Sequence, residues 1–158
     1  MIPPRMDVET LKPFLFESKM EGYAGEDTNY KAGRISGSKT FTRKRENLTY
    51  VDTYIGFTYF AGQEIVLEKN VPQWTSVYSG GIMEDSIDPY EIYNFLKLCL
   101  RECDPQMPLR GKDYFSNGQF EYKNVFEGDM DHFIGYESIE SEQDIVYELH
   151  YSGGMLIP

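Results

Sequence analysis

Alternating apolar and polar residues dominate two long stretches of this chain, one from residue 48 to 79 and one from 119 to 152. Each stretch divides into short runs separated by polar turns such as "EKNVPQ" and "SEQD". Alternation over short runs is typical of half-buried strands, and short polar turns between them indicate antiparallel hairpins. We therefore predict strands at 48–56, 59–68, 72–79, 119–127, 132–140 and 145–152.

A helical spacing of apolar residues lies between the two stretches. Asp88 is the predicted N-cap, Pro89 suits the first turn, and Glu91 completes a capping box. These signals predict an amphipathic helix that packs on a sheet. Its apolar stripe consists of Ile92, Phe95, Leu96, Cys99 and Cys103.

A weaker helix is predicted ahead of the first stretch. Pro13 is compatible with it only if the helix begins near Thr10, because the missing N–H must fall in the first turn. Residues 23–47, which follow, are rich in Gly, Ser and charge, so we expect a long loop with one short strand around 40–43. The apolar side of the helix consists of Leu11, Phe14 and Leu15.

The two stretches also align with each other. With one inserted residue, the segment at 50–83 matches the segment at 122–156, and both close on Tyr-Ser-Gly-Gly. We therefore predict a single domain, 1–158, built by internal duplication, with one repeat over about 7–83 and a second over about 86–158. The expected fold class is α+β: each unit is a helix plus an antiparallel β-meander, the units are related by pseudo-twofold symmetry, and the helices pack on the sheet.

One face of the predicted strands carries the main candidates for function, because alternate residues of a strand share a face. That face is rich in tyrosine but also includes Asp52, Glu64 and Glu137. These acids are either buried anchors bonded to tyrosine hydroxyls and backbone N–H groups, or acids in a tyrosine-lined cavity that orient a polar ligand or transfer protons. The candidate ligand-binding residues are Tyr50, Asp52, Tyr54, Glu64, Trp74, Tyr78, Glu137, Tyr147 and Tyr151.

A basic segment, "GSKTFTRKR" at 37–45, interrupts an otherwise acidic chain. One interpretation is a surface strand with charged edges. The other is a local phosphate-binding patch, which the neighbouring aromatic residues would adapt to a nucleotide. The sequence has no P-loop or dinucleotide-binding fingerprint. The candidate phosphate-binding residues are Lys39, Arg43, Lys44 and Arg45.

Composition and charge restrict the partners and the location. A formal net charge of -11 repels the nucleic-acid backbone, so we expect no direct nucleic-acid binding and favour a basic protein partner. The sequence has neither a long apolar run nor a signal-peptide pattern, so we expect a cytoplasmic protein without membrane contact. Cys99 and Cys103 are expected to be small core residues, and we assign no metal and no cofactor. His132 and His150 have no nucleophile motif beside them, so we assign no catalytic residue.

Several segments also resemble a known family. "YVDTYIGFTYFAGQEIV", "YSGG", "FLKLCL", "PLRG" and "VYELHYSGG" are similar to a prokaryotic family known as a domain of unknown function. Members of that family are short stand-alone proteins or domains behind helix-turn-helix regulators, and this chain is similar to the stand-alone form. The resemblance extends from "YAG" at 23 to the C-terminus and implies no activity. It points to Tyr23, Gly25, Asp52, Tyr54, Glu64, Trp74, Tyr78, Arg110, Gly111, Glu137 and Tyr151, and so adds Arg110 to the ligand-binding candidates.

These observations support three functional hypotheses. The leading one is a non-enzymatic domain that binds or sequesters a small polar ligand, such as a nucleotide or signal molecule. The second is an acidic interaction or inhibitor protein with a basic partner. The third is a hydrolase or isomerase with Glu64 or Asp52 as general base and with Tyr78 or Arg110 stabilising charge. Exposed sheet edges also make a homodimer an expectation.

Overall fold

The computed structural model describes residues 5–25 and 29–157. Helices and strands connected by short turns account for most of this part of the chain. In chain order the elements are α1 (Val8–Glu21), β1 (Lys31–Ala32), β2 (Lys39–Arg45), β3 (Leu48–Gly56), β4 (Tyr59–Glu68), β5 (Val71–Ile82), α2 (Pro89–Arg101), β6 (Tyr114–Asn117), β7 (Phe120–Asp129), β8 (His132–Ser141) and β9 (Asp144–Met155).

The strands form one antiparallel sheet in the order β1-β2-β3-β4-β5-β9-β8-β7-β6. The two hairpin series meet in the middle of the sheet, where β5 pairs with β9 and Tyr78 lies opposite Tyr151. All six strands predicted from alternation are present, and β3 and β4 have the predicted bounds. The sheet therefore follows directly from the local pattern of the sequence.

The predicted fold class is wrong. Of the described residues, 51% are in strands and 18% in helices, so the protein is mainly β and not the expected α+β fold of duplicated helix-plus-meander units. Strands of both halves share one continuous sheet, which leaves no separate helix-plus-meander units. Outside the six predicted strands, β1 and β2 form one edge of the sheet and β6 forms the other, and β2 includes the short strand expected around 40–43. The prediction of an internal duplication with pseudo-twofold symmetry is therefore wrong as well.

Helix α1 begins earlier than predicted. The side chain of Asp7 accepts a hydrogen bond from the backbone N–H of Glu9 at 3.2 Å and caps the helix, so the expected start near Thr10 is wrong. Pro13 lies beyond the first turn and removes one backbone hydrogen bond from the helix. Burial against the sheet offsets that loss. The buried residues of α1 are Leu11, Phe14, Leu15 and Ser18.

Helix α2 begins where the sequence predicts. Asp88 caps it by accepting a hydrogen bond from the N–H of Tyr90 at 2.9 Å, and Pro89 is its first residue. Cys99 on this helix and Cys103 just after it are buried free thiols, as expected of core residues. Burial raises the pKa of both thiols, which keeps them protonated and unreactive.

The helices cover part of one face of the sheet, which we call the covered face. On it the ring of Tyr93 from α2 lies 6.0 Å from that of Phe60 and 6.2 Å from that of Tyr147, measured between centroids. The opposite, open face carries exposed apolar residues such as Tyr59 and Ile134. Neither helix of the described ranges is long and apolar enough to cross a membrane. The covered face is therefore where an enclosed site can form.

Candidate ligand-binding site

A cavity of about 270 Å³ lies on the covered face, between strands β3 to β5 and the two helices. Aromatic side chains form a large part of its wall. At its mouth Phe57 and Tyr90 are 46% and 64% exposed, and their ring centroids are 5.2 Å apart. The interior aromatic residues of the wall are Tyr23, Tyr30, Tyr50, Tyr54, Phe60, Tyr78 and Tyr93.

Two carboxylates lie side by side at the floor of the cavity. Asp52 on β3 and Glu64 on β4 are directly paired in the antiparallel register, and both are buried. Like charges placed opposite each other on neighbouring strands repel, and burial strengthens that repulsion. Each carboxylate must therefore be stabilised by other groups, and the two are stabilised differently.

Glu64 is neutralised by a lysine of α1. Lys19 Nζ lies 2.9 Å from Oε1 and 2.8 Å from Oε2 of Glu64, and it also donates to the carbonyl of Leu109 at 2.6 Å. The hydroxyl of Tyr50 donates to Oε2 at 2.8 Å. This buried ion pair joins the last turn of α1 to the middle of the sheet and closes one end of the cavity.

Among the described residues, the side chain of Asp52 accepts side-chain hydrogen bonds from hydroxyl groups alone. Tyr30 donates to its Oδ2 at 2.5 Å and Tyr78 to its Oδ1 at 2.6 Å. Among the described residues no lysine or arginine forms an ion pair with it. Burial, and then the charge of Glu64, raise the pKa of Asp52 to about 6, although both hydroxyls and Lys19 act in the opposite direction. Asp52 is thus a buried acceptor that would gain from a further donor.

Glycine at position 62 allows Tyr78 to reach Asp52. Gly62 on β4 lies opposite Tyr78 on β5, and the tyrosine ring leans across it. A Cβ at this position would lie 2.3 Å from the Tyr78 hydroxyl oxygen and 2.5 Å from its Cζ. Any side chain here would displace the ring, so the hydrogen bond from Tyr78 to Asp52 depends on the missing Cβ.

A second polar network lies beside the cavity and is centred on Glu137. Arg110 donates to both carboxylate oxygens of Glu137, at 3.1 Å from Nε and through a shorter contact from Nη2. Tyr122 and Tyr147 donate to the same carboxylate at 2.5 and 2.8 Å. Asn124, the strand partner of Glu137, accepts from the Tyr151 hydroxyl at 2.7 Å. Glu137 is completely buried, and among the described residues it is the only carboxylate in this network.

The structure separates the predicted residues into two groups. Trp74, Glu137, Tyr147 and Tyr151 lie in the core, where the indole of Trp74 stacks 5.7 Å from Phe133. The other six line the cavity: Tyr50, Asp52, Tyr54, Glu64, Tyr78 and Arg110.

The four basic residues of the segment at 37–45 do not converge on one site. Arg43 forms ion pairs with Glu17 and Glu21, and Arg45 pairs with Glu17. Lys39 lines the cavity, whereas Lys44, by alternation along β2, points to the open face. The two arginines therefore join β2 to α1, and only Lys39 contributes to the cavity.

Sequence reasoning missed several cavity residues. Lys19 and Tyr30 come from segments in which no pattern indicated a site, and only the packing of the chain brings them to the carboxylates. Tyr93 and Lys97 could have been predicted as cavity residues. They are four residues apart and so share a face of α2, and that face mixes aromatic and charged side chains. Lys97 Nζ lies 5.3 Å from the ring centroid of Tyr23, at the mouth of the cavity.

Fold and site together define a mainly β domain with a tyrosine-lined cavity over a carboxylate pair. A family model described as "Domain of unknown function (DUF5680)" matches residues 52–156, more than half of the chain, and the chain belongs to this family. The matched region includes Asp52 and Glu64, whereas Lys19 and Tyr30 precede it. Comparisons with curated proteins and with solved structures found no match.

Proposed function

We propose that this domain binds a small molecule with a planar aromatic part in the tyrosine-lined cavity and does not transform it chemically. The observation that carries the proposal is Asp52, a buried carboxylate at the cavity floor whose side-chain hydrogen bonds within the described chain come only from hydroxyl groups. Aromatic walls around a small number of polar groups are typical of ligand sites. The domain would then act by holding or sequestering its ligand.

The size of the cavity suits a compact ligand. A volume of about 270 Å³ is close to the lower end of the range for small-molecule sites, which begins at about 300 Å³. The rings of Tyr30 and Tyr54 meet edge to face at 5.6 Å, as do those of Phe60 and Tyr78 at 6.1 Å. Such rings offer both faces and edges to a planar group, which favours an aromatic ligand over a flexible aliphatic one.

Asp52 sets the polarity of the inner end of the ligand. A carboxylate only accepts hydrogen bonds, and each of its oxygens already accepts one from a tyrosine. A further donor from a ligand would stabilise the charged form, and hydrogen bonds to charged groups contribute about 1.5–3 kcal/mol. The inner end of the ligand is therefore expected to carry an N–H or O–H group.

The geometry gives less support to a hydrolase or isomerase. Glu64 is held by Lys19 and Tyr50, so its oxygens are occupied by strong donors. Arg110, the candidate for stabilising developing charge, is bound to Glu137. A general base has to reach the proton it removes, and neither carboxylate is free of competing donors. Catalysis would require one of these carboxylates to release its present donors, whereas ligand binding would not. Binding is therefore the function that the geometry supports better.

The resemblance to domains that stand alone or follow helix-turn-helix regulators suits the same proposal, since such an arrangement would couple ligand binding to gene regulation. The alternative of an acidic interaction protein stays a prediction, as do a basic protein partner and a homodimer. Pull-down at low and high salt tests the alternative, because binding driven by a net charge of -11 has to weaken as salt rises.

The test uses N-phenyl-1-naphthylamine, a neutral aromatic probe with one N–H donor that fluoresces strongly in apolar surroundings. The blocking variant is Asn94→Trp, because Asn94 lies on the exposed side of α2 and lines the cavity. Leu98→Trp is the matched control, since Leu98 is also exposed on α2 and is not part of the cavity wall. Melting temperatures of both variants confirm that each is folded.

We expect saturable fluorescence with one probe per chain, abolished by Asn94→Trp and retained in Leu98→Trp. Absence of binding to the unaltered protein, or equal binding to both variants, would overturn the proposed function.

A further inference from the structure

We propose further that the cavity selects aromatic molecules that carry a negatively charged group, with Lys39 and Lys97 binding that group at the mouth while the aromatic part points to Asp52. The inference rests on the proposed function and specifies the class of ligand. Its basis is the distribution of charge along the cavity, from the buried floor to the exposed mouth.

The cavity wall is basic in an acidic protein. The chain has 15 basic and 26 acidic residues, yet the wall contains four basic residues and two carboxylates. The two inner cations are neutralised, Lys19 by Glu64 and Arg110 by Glu137. The two remaining cations are Lys39 and Lys97.

Lys39 and Lys97 line the cavity from different elements and are both accessible to solvent. Lys39 comes from β2 and is exposed, whereas Lys97 comes from α2 and is half-buried over the ring of Tyr23. In the described part of the chain neither forms an ion pair with a carboxylate. Two amines of different elements that line one cavity, with no acidic partner among the described residues, form a local positive field.

The floor excludes a negatively charged group. Asp52 and Glu64 are adjacent there, and a third anion beside two buried carboxylates would be strongly repelled. Along the sheet Asp52 lies opposite Phe41, and Lys39 lies opposite Tyr54, two residues further towards the mouth. Two residues of a strand span about 7 Å, roughly the width of a fused aromatic ring system. The anionic group of a bound ligand therefore lies at the mouth.

The ligand class that fits has an aromatic ring with an N–H or O–H donor at one end and a carboxylate, sulfonate or phosphate at the other. Nucleotides are one member of this class, since the base supplies the donors and the phosphate the charge. The competing class is an aromatic cation attracted by Asp52 and by the faces of the tyrosine rings. The charge at the mouth opposes the entry of such a cation, so we favour the anion.

A matched pair of probes separates these classes. 1-Anilinonaphthalene-5-sulfonate has the same aromatic skeleton and the same N–H as N-phenyl-1-naphthylamine, and differs from it by one sulfonate, which lies across the ring system from the N–H. The variants are Lys39→Gln, Lys97→Gln and the double variant. Lys44→Gln is the control, because Lys44 is an exposed lysine of the same strand as Lys39 that points to the open face. Fluorescence titrations at low salt give the affinity of each probe.

We expect the sulfonate probe to bind more tightly than the neutral probe, and each lysine variant to weaken it about threefold, as expected of exposed ion pairs. The double variant should weaken the sulfonate probe about tenfold and leave the neutral probe unchanged, and Lys44→Gln should change neither. Raising the salt concentration should reduce the difference between the probes, because exposed charges are screened.

The results distinguish a failure of this inference from a failure of the proposed function. If the neutral probe binds and Asn94→Trp blocks it, but the lysine variants leave the sulfonate probe unaffected, the anion selectivity is overturned and the binding function stands. Tighter binding of 4-aminobenzamidine, an aromatic cation, than of the sulfonate probe would overturn it in the same way. If no probe binds in the cavity, both proposals fail.

Discussion

Asp52 and Glu64 face each other across β3 and β4, and only Glu64 has a cation within contact distance in the described chain. Two adjacent buried acids therefore have different tasks. Glu64 is a structural acid, because its ion pair with Lys19 joins α1 to the sheet. Asp52 is the acid at the floor of the cavity that can accept a further hydrogen bond from a bound ligand.

The first prediction concerns Glu64. Glu64→Gln should lower the free energy of unfolding by about 3 kcal/mol, because it leaves the ammonium of Lys19 buried without its carboxylate. Urea unfolding measures the loss. The matched control is Glu140→Gln, which removes the exposed pair with Lys123 and should change stability by less than about 1 kcal/mol. Equal effects of the two substitutions would show that the Lys19–Glu64 pair does not anchor α1.

The second prediction concerns the pH dependence of stability. The pKa of Asp52 is raised from 3.8 to about 6 in the folded protein, so the folded state binds its proton more tightly than the unfolded state. Between about pH 4 and pH 6 the contribution of Asp52 to the free energy of unfolding therefore falls as pH rises, by about 2–3 kcal/mol in total, and it is constant above that range.

Asp52→Asn should remove this slope. Asparagine is compatible with the site, because Asn124 accepts a tyrosine hydroxyl in the neighbouring network. The measurement is the free energy of unfolding from pH 4 to 8 for both proteins, and the difference between the two curves isolates Asp52. A difference that is constant over this range would contradict the raised pKa.

The third prediction concerns Gly62. Gly62→Ala should destabilise the protein by about 2 kcal/mol or more, because its Cβ would collide with the ring of Tyr78 and break the bond to Asp52. In a Tyr78→Leu background the ring is absent, so the same substitution should cost clearly less, and the remaining cost comes from the carbonyl oxygen of Thr53, which lies 2.6 Å from the Cβ position. A double-mutant cycle measures the coupling. If the two substitutions changed the free energy of unfolding additively, the ring of Tyr78 would not depend on the missing Cβ at Gly62.

The strands of the two hairpin series were predictable because their signals are local. Alternation over ten residues and polar turns such as "EKNVPQ" gave β4 its bounds, and Asp88 with Pro89 gave the start of α2. Alternation also placed Asp52, Glu64 and Tyr78 on one face, and the structure brings these three together at the cavity.

The remaining strands depend on neighbours rather than on their own residues. Segments 31–32 and 114–117 are too short or too polar to signal strands, and they form β1 and β6 because each extends an existing hairpin edge. The position of the cavity could not be predicted either. Tyr50 and Tyr122 occupy similar patterns, yet only Tyr50 lines the cavity, because the packing of α1 and α2 decides where space remains.

The central claim is that an aromatic molecule occupies the cavity above Asp52. The most direct test is NMR of the protein saturated with N-phenyl-1-naphthylamine, read through nuclear Overhauser effects between protons of the probe and of the tyrosine rings. We expect contacts to Tyr30, Tyr54 and Tyr78, which line the cavity. Contacts confined to open-face residues such as Tyr59 and Val77 would contradict it.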